Sequence, residues 1–245
     1  MKLIILASGR GSRLNKLTKN NPKCLVKVNH KTILSYLTNS FNLFEKIIII
    51  TGYRSKMIMN EIEQKKNIIY VKNHNYMRTN MVSSLFCASD FIDDDVVISY
   101  SDIIFDQSIL KKLIKCKKTT MPLNYSWLSS WEKRMNKKDI FNDAEDVKVK
   151  NKQILSIGGK IEKNKLPKMQ FMGLIKINKK DFFKMKKIFH KINNPKIDFT
   201  SFINTIINFH SFKIEYIKSN SFWTEIDSLS DLLAAEKMLK NIKKI

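Results

Sequence analysis

The chain alternates short, wholly apolar runs with longer stretches in which apolar residues recur every three or four positions. The runs "KLIILA" at 2–7, "KIIIIT" at 46–51, "NIIYV" at 67–71 and "DVVISY" at 95–100 predict strands buried on both faces. Between them, "TILSYLTNSFNLF" at 32–44 puts Ile33, Leu37, Phe41 and Phe44 on one helical stripe, and further helices are predicted near 55–66, 81–91 and 107–116. Strands alternating with helices predict an α/β fold, doubly wound, with a mostly parallel sheet covered on both faces. Farther along, "VKVKNKQILSIG" at 147–158 alternates lysine with apolar residues about a polar turn and predicts a hairpin, and "MQFMGLIKI" at 169–177 predicts another strand. "SLSDLLAAEKMLKNIKK" at 228–244 predicts a closing helix, with Ser228 as cap, Asp231 early and lysines late, as the helix dipole favours. No repeat or low-complexity linker divides the chain, so one domain is expected over 1–245, with a less regular subregion at about 119–168.

Composition narrows the classes. With 245 residues, 43% of them hydrophobic, the chain can bury a full core. The opening "MKLIILASG" is too short in apolar residues for a signal-peptide core, and "KIIIITGY" is far below membrane-spanning length, so no membrane partner is expected. Cys24, Cys87 and Cys116 are an odd number without metal-ligand spacing, which favours reduced thiols and a cytoplasmic setting. The net charge of +23 raises nucleic acid as a partner, yet only five of the 45 basic residues are arginines, and the lysines are spread along the chain. The charge is therefore read as suiting solubility and small anions rather than nucleic acid.

Candidate chemistry begins where the first strand ends, in "LASGRGSRLNKLTKNNPKCLV" at 6–26. Glycines at 9 and 11 let the main chain approach a ligand closely and present successive N–H groups, which suits phosphate. The spacing is neither the dinucleotide fingerprint, because Leu14 stands where its third glycine would be, nor a P-loop. A Gly-x-Gly alone is as well explained by a turn. Arg13 and Lys23 add a fork donor and a point charge to the same loop, and these shift the balance toward a polyanion.

The signature "GRGSRL" followed by "PKCLV" resembles that of the nucleotidyltransferases that make activated sugars and alcohols. Further stretches agree in order, "TGY" at 51–53, "TNMVSSL" at 79–85, "SYSDIIF" at 99–105, "GGKI" at 158–161, "QFMGL" at 170–174 and "WTEIDSLSDL" at 223–232. Within that family the chain is most similar to the branch of phosphocholine and phosphonate cytidylyltransferases. The resemblance implies that a phosphate or phosphonate oxygen attacks the α-phosphorus of CTP and that pyrophosphate leaves. It places the triphosphate on the loop from Ala7 to Arg13, through Ser8, Gly9, Gly11 and Ser12, with Leu6 also beside the nucleotide, Lys23 at the α-phosphate and Arg13 on the leaving group. Gly52, Tyr53, Asn80, Ser84 and Ser101 are the implied neighbours of the nucleoside.

Joining two polyanions requires cations, and Mg2+ binds one or two carboxylates together with phosphate oxygens. Asp102, just past a predicted strand, and Asp227, before the closing helix, are the expected ligands, while Asp106 and the run Asp93 to Asp95 read as solvated turns. For the acceptor, the resemblance points to Lys160 and Gly173 and to the 119–168 subregion. Trp127, Trp131, Trp223 and Glu225 together suggest a cage for an ammonium group, with core packing the plainer role for each tryptophan. Two other readings stay open, a sugar 1-phosphate nucleotidyltransferase and a non-catalytic nucleotide or nucleic-acid binding module. So does assembly into a homo-oligomer.

Overall fold

The computed structural model describes residues 1–62, 66–162, 165–210, 212–240 and 242. Ten strands form one sheet: β1 (Lys2–Ala7), β2 (Lys46–Thr51), β3 (Ile68–Lys72), β4 (Val96–Tyr100), β5 (Thr120–Asn124), β6 (Glu145–Lys150), β7 (Gln153–Lys160), β8 (Gln170–Phe171), β9 (Leu174–Ile177) and β10 (Glu215–Ser219). Their order is β3-β2-β1-β4-β9-β5-β10-β7-β6, with β8 beside β5. The first four are parallel, β9 enters antiparallel between β4 and β5, and β10 runs parallel to β5.

The aliphatic runs are continuous because both sheet faces are covered. Along β1, Ile4 and Leu6 join a core with Leu85, Phe182 and Phe202, whereas Leu3, Ile5 and Ala7 join another with Leu34, Leu37 and Leu110. A side chain fully buried in this way contributes about 1.5–3 kcal/mol, so the pattern of apolar residues is the main determinant of strand register. The predicted stripe Ile33, Leu37, Phe41 and Phe44 is buried, although the helix ends at Thr38 and a 3-10 turn, Phe41–Leu43, completes it.

Other elements differ in extent. The helix near 55–66 spans Ser55–Glu61, and residues 63–65 of that expectation lie outside the described residues. The helix near 81–91 stops at Phe86, and a 3-10 turn follows at Ser89–Phe91. The expected strand at 169–177 is broken at Gly173, whose φ of +72° turns the chain where a β-carbon would lie 3.0 Å from the Tyr100 ring. Helices Lys179–Ile192 and Phe199–His210 lie outside the elements predicted from sequence; Phe182, Met185, Ile188 and Phe189 give the first its buried stripe. Ser228 caps the closing helix, Leu229–Lys240, and Asp231 reaches back to accept the Ser228 N–H at 2.8 Å. Positions 241, 243 and 244 of the expected helix lie outside the described residues.

Asp93 to Asp95 do more than form a solvated turn. Asp93 pairs with Lys2, Asp94 with the Met1 ammonium, and Asp95 with Lys176 at 2.7 Å. Lys2 and Lys176 are each only 1% exposed, so their charges must be met, and these aspartates meet them. Asp106 accepts the Ser108 N–H at 2.8 Å at the start of helix Ser108–Ile114. The three cysteines are free, and among the described residues no helix is long and apolar enough to cross a membrane.

Candidate active site

The carboxyl ends of β1, β2, β3 and β4 open on one edge of the sheet, where the loops that follow them meet. After β1 the glycine loop turns sharply, since Gly11 has φ +73° and a β-carbon there would lie 2.5 Å from the Lys23 Cβ. The loop is held by Thr18, fully buried, whose hydroxyl donates to the Gly11 carbonyl at 2.8 Å. Lys23 opens a 3-10 turn behind Pro22 and sends its stem across this glycine.

The Lys23 ammonium ends between two carboxylates. It donates to Asp102 Oδ2 at 2.6 Å and to Asp227 Oδ1, although Asp227 lies 204 residues away in sequence. Arg13 Nη2 reaches the same Asp227 oxygen at 2.9 Å. A two-stranded antiparallel ribbon of Ile103–Phe105 with Trp223–Glu225 brings the aspartates together, and the Ile226 N–H donates to the Asp102 carbonyl at 2.9 Å. Burial would lower the Lys23 pKa, but Asp102 and Asp227 outweigh it and hold the group above its ordinary value. It is a permanent cation. Asp102 Oδ1 is buried with no hydrogen-bond partner among the described residues, and both carboxylates already converge on positive charge. Two carboxylates, one with an unpartnered buried oxygen, fit a divalent cation whose remaining positions are completed by phosphate oxygens and water, although no cluster of three or more His, Cys, Asp or Glu able to hold a metal occurs among the described residues.

On the other side of the loop, Ser8 Oγ and Ser84 Oγ are 2.9 Å apart, and the Tyr53 N–H donates to the Ser8 carbonyl at 3.0 Å. Gly52 admits no side chain, because a β-carbon would lie 2.6 Å from the Ser8 carbonyl oxygen and 2.8 Å from Tyr76. Asn80 caps helix Met81–Phe86 through the Met81 N–H at 2.7 Å. Arg10 and Arg54 flank the Tyr53 ring at 5.7 and 5.8 Å. The expected nucleotide residues Ser8, Gly52, Tyr53, Asn80 and Ser84 thus lie around connected loops. Leu6 and Ala7 bury their side chains in the core, Gly9 and Ser12 are exposed, and Ser101 is half-buried next to Asp102. Sequence reasoning missed Asn73, which is buried and donates to Ser84 Oγ at 2.9 Å and to Thr79 Oγ1 at 3.0 Å. Its position just after β3, at the carboxyl edge, was the available signal.

Residues 2–241 match the family model described as Nucleotidyl transferase. The chain belongs to the nucleotidyl transferase family. It is 32% identical to the CTP:phosphoglutamine cytidylyltransferase of Campylobacter jejuni, over 95% of this chain and 98% of that protein. The Streptococcus pneumoniae choline-phosphate cytidylyltransferase is 26% identical over 98% of this chain and 99% of its own length. Among solved structures, the inositol-1-phosphate CTP transferase from T. maritima superposes with a TM-score of 0.76 at 19% identity, over 98% of this chain and 97% of that one, a likeness of fold. As a nucleotidyl transferase the protein is an enzyme, which removes the reading as a non-catalytic binding module.

Beside Asp227, a cavity of about 230 Å³ extends from the nucleotidyl transferase loop. Tyr100, Trp131, Phe171 and Phe199 form its aromatic wall together with Gly173, and five of the chain's 22 acidic residues line it: Asp143, Glu145, Asp198, Glu225 and Asp227. Arg13 is the only cation among its lining residues. In a protein of net charge +23 this is a local inversion of sign. Phe171 and Phe199 stack with planes 9° apart, and Tyr100 meets both edge-on. Burial alone would raise the Asp198 pKa, but the N–H of Ser201 and the hydroxyl of Thr200 hold it below the ordinary range, so Asp198 is ionised. Burial raises Glu145, and burial with Asp227 and Asp102 nearby pushes Glu225 up to about 8.

The expected ammonium cage is thereby redrawn. Trp131 lines the cavity, whereas Trp127 and Trp223 are core residues, 2% exposed, packed against Trp131 at ring separations of 5.0 and 6.5 Å. Three indoles exclude water better together than apart, which is why they pack inward. Glu225 lines the cavity, where burial together with Asp227 and Asp102 raises its pKa and so weakens its charge as a partner for an ammonium group. Lys160 is exposed at the end of β7, in register with Glu145, and is not among the residues lining the cavity.

Proposed function

We propose that this enzyme transfers CMP from CTP to a small phosphorylated or phosphonylated acceptor that carries a cation at its far end, releasing pyrophosphate, with Mg2+ as cofactor. The observation that carries the reading is Lys23, a permanent cation set between Asp102 and Asp227 beside the glycine loop. The names of the two cytidylyltransferase relatives support CTP as donor. Their acceptors, phosphoglutamine and choline phosphate by name, support a phosphorylated small molecule.

In this reading the acceptor oxygen attacks the α-phosphorus while the bond to the β-phosphate oxygen breaks in line. Lys23 stabilises the charge that gathers on the α-phosphate, acting as a fixed charge rather than as an acid or base. Arg13, largely exposed in the free enzyme, takes the pyrophosphate. Asp102 and Asp227 would hold magnesium, which when bound would supply positive charge to offset that of the donor and acceptor phosphates. The chain acts as one domain over 1–245, and its 119–168 subregion supplies Trp131, Asp143 and Glu145 to the acceptor cavity. Asp198, with the faces of Phe171, Phe199 and Tyr100, receives the ammonium group.

Pyrophosphate release, measured with each NTP against choline phosphate, 2-aminoethylphosphonate, phosphoglutamine and sugar 1-phosphates, tests the reading. Turnover is expected with CTP and a cationic acceptor, and preference for UTP or dTTP with a sugar 1-phosphate overturns it. Asp198→Asn should raise KM for choline phosphate about tenfold, the equivalent of about 1.4 kcal/mol. The same change should leave its uncharged isostere, 3,3-dimethylbutyl phosphate, unaffected; equal effects on both acceptors would remove the ammonium site.

A further inference from the structure

Asp231 is spent on more than a helix start. Its Oδ2 accepts the N–H groups of Asp227 at 3.0 Å and Ser228 at 2.8 Å, while its Oδ1 accepts from Arg134 Nη1 at 2.8 Å. Both side chains of this ion pair are 1% exposed. A capping carboxylate on a surface helix needs no buried counter-charge, because water serves it. Here a guanidinium 97 residues away in sequence has been brought into the interior to meet it. Arg134 also lies over the Trp131 ring, 4.5 Å from its centroid, and Trp131 is part of the acceptor cavity wall. Its Nε and Nη2 have no hydrogen-bond partner among the described residues, so charge and stacking, not a full set of hydrogen bonds, keep it there.

We propose that the Arg134–Asp231 pair is a positioning device that sets the Asp227 carboxylate against Asp102 and, through the same guanidinium, sets the Trp131 wall of the acceptor cavity. Asp227 is gripped twice. The Ile226 N–H is tied to the Asp102 carbonyl, and the Asp227 N–H is tied to Asp231. Without the second tie the carboxylate keeps its place in sequence but loses the orientation that two-ligand metal binding needs. Arg134 belongs to the acceptor subregion and Asp231 to the closing helix, so the pair joins the two substrate sites mechanically.

The inference rests on the proposed role of Asp227 in holding the metal, and the test separates the two. Mn2+ binding to the CTP-bound enzyme is followed by electron paramagnetic resonance, and acceptor KM and kcat are measured alongside. Removing one partner of a buried pair threatens the fold, so the main variant replaces both, Arg134→Met with Asp231→Leu, which lets apolar groups fill the space. Its melting temperature should stay near that of the parent, its Mn2+ dissociation constant should rise about tenfold and its acceptor KM should rise, with CTP affinity in the absence of metal unchanged. If that variant does not fold, Asp231→Glu answers the same question, because it keeps both charges and displaces only the oxygens. Unchanged Mn2+ binding and acceptor KM in a folded variant overturn the proposal. Asp227→Asn serves as the control: if it too leaves Mn2+ binding unchanged, the metal reading of Asp227 has failed, and if it alone weakens binding, only the positioning role has failed.

Discussion

At the scale of single residues, the site depends on where one ammonium is allowed to go. Gly11 and Lys23 are in contact, and Gly11→Ala would combine a left-handed φ of +73° with a β-carbon 2.5 Å from the Lys23 Cβ. The alanine variant should lose kcat nearly as fully as Lys23→Ala, whereas Gly9→Ala, with nothing within 4 Å of the new carbon, should leave the free protein's stability unchanged. Steady-state kinetics and melting curves on the three variants check this. Lys23→Ala should lower kcat by about 10²–10³ with little change in CTP affinity, since its charge matters most when the α-phosphate is pentacoordinate. Arg13→Ala should instead weaken CTP binding, because the pyrophosphate moiety is already charged in the ground state. Equal, small effects of both would make the loop merely structural. Gly-x-Gly, Arg13 and Lys23 were legible from sequence because they are local; Asp231 was legible as a cap and nothing more, since its partner Arg134 is remote.

At the scale of elements, the hairpin of β6 and β7 tests how much local geometry contributes to the proposed acceptor side. Its turn residues Asn151 and Lys152 have φ of +49° and +62°. Asparagine tolerates this conformation, but lysine is strained there by about 1 kcal/mol. Lys152→Gly should therefore raise the melting temperature by about 2–4 °C for a chain of this size without changing KM, and a lowered melting temperature would mean that the lysine side chain contributes elsewhere. The alternation of lysine and apolar residues announced this hairpin, whose strands extend two residues beyond 147 and 158 on either side. Helix Phe199–His210 carries a stripe of its own, Phe199, Phe202, Ile203 and Ile206 at helical spacing, although the elements predicted from sequence do not include it. Strand β10, Glu215–Ser219, mixes charged and apolar residues and carries no such local signal; its place beside β5 is set by pairing with a distant segment.

At the scale of the molecule, acidic residues scattered through a basic chain converge on one cavity, and their titration should register in the stability of the whole. Glu225 shifts from an ordinary 4.5 to about 8 in the folded protein, through burial first and then Asp227 and Asp102. The native state holds this proton more tightly than the unfolded chain, so the contribution is complete below pH 4.5 and lost as the pH rises through 8. Glu225→Gln removes the dependence. In nucleotide-free and metal-free protein, the melting temperature of the variant relative to the parent should climb between pH 5 and pH 8.5, and a flat difference would mean that Glu225 titrates normally.

The sequence by itself determined the α/β order and the strands β1 and β2 to the residue, because each is written in a contiguous run of side chains, and it singled out the glycine loop, Lys23, Asp102 and Asp227 as candidates that the structure brings close together. Only the tertiary structure decided which tryptophan lines the cavity beside Asp227, that Asp198 and Glu145 join it, and that Arg134 reaches Asp231. A linear pattern records how a side chain suits its neighbours along the chain. Which distant carboxylates share one cavity, and which buried charge answers another, depends on the crossing of β9 and β10 into the sheet and on the ribbon that carries Asp227 to Asp102, and these pairings exist only once the chain has folded.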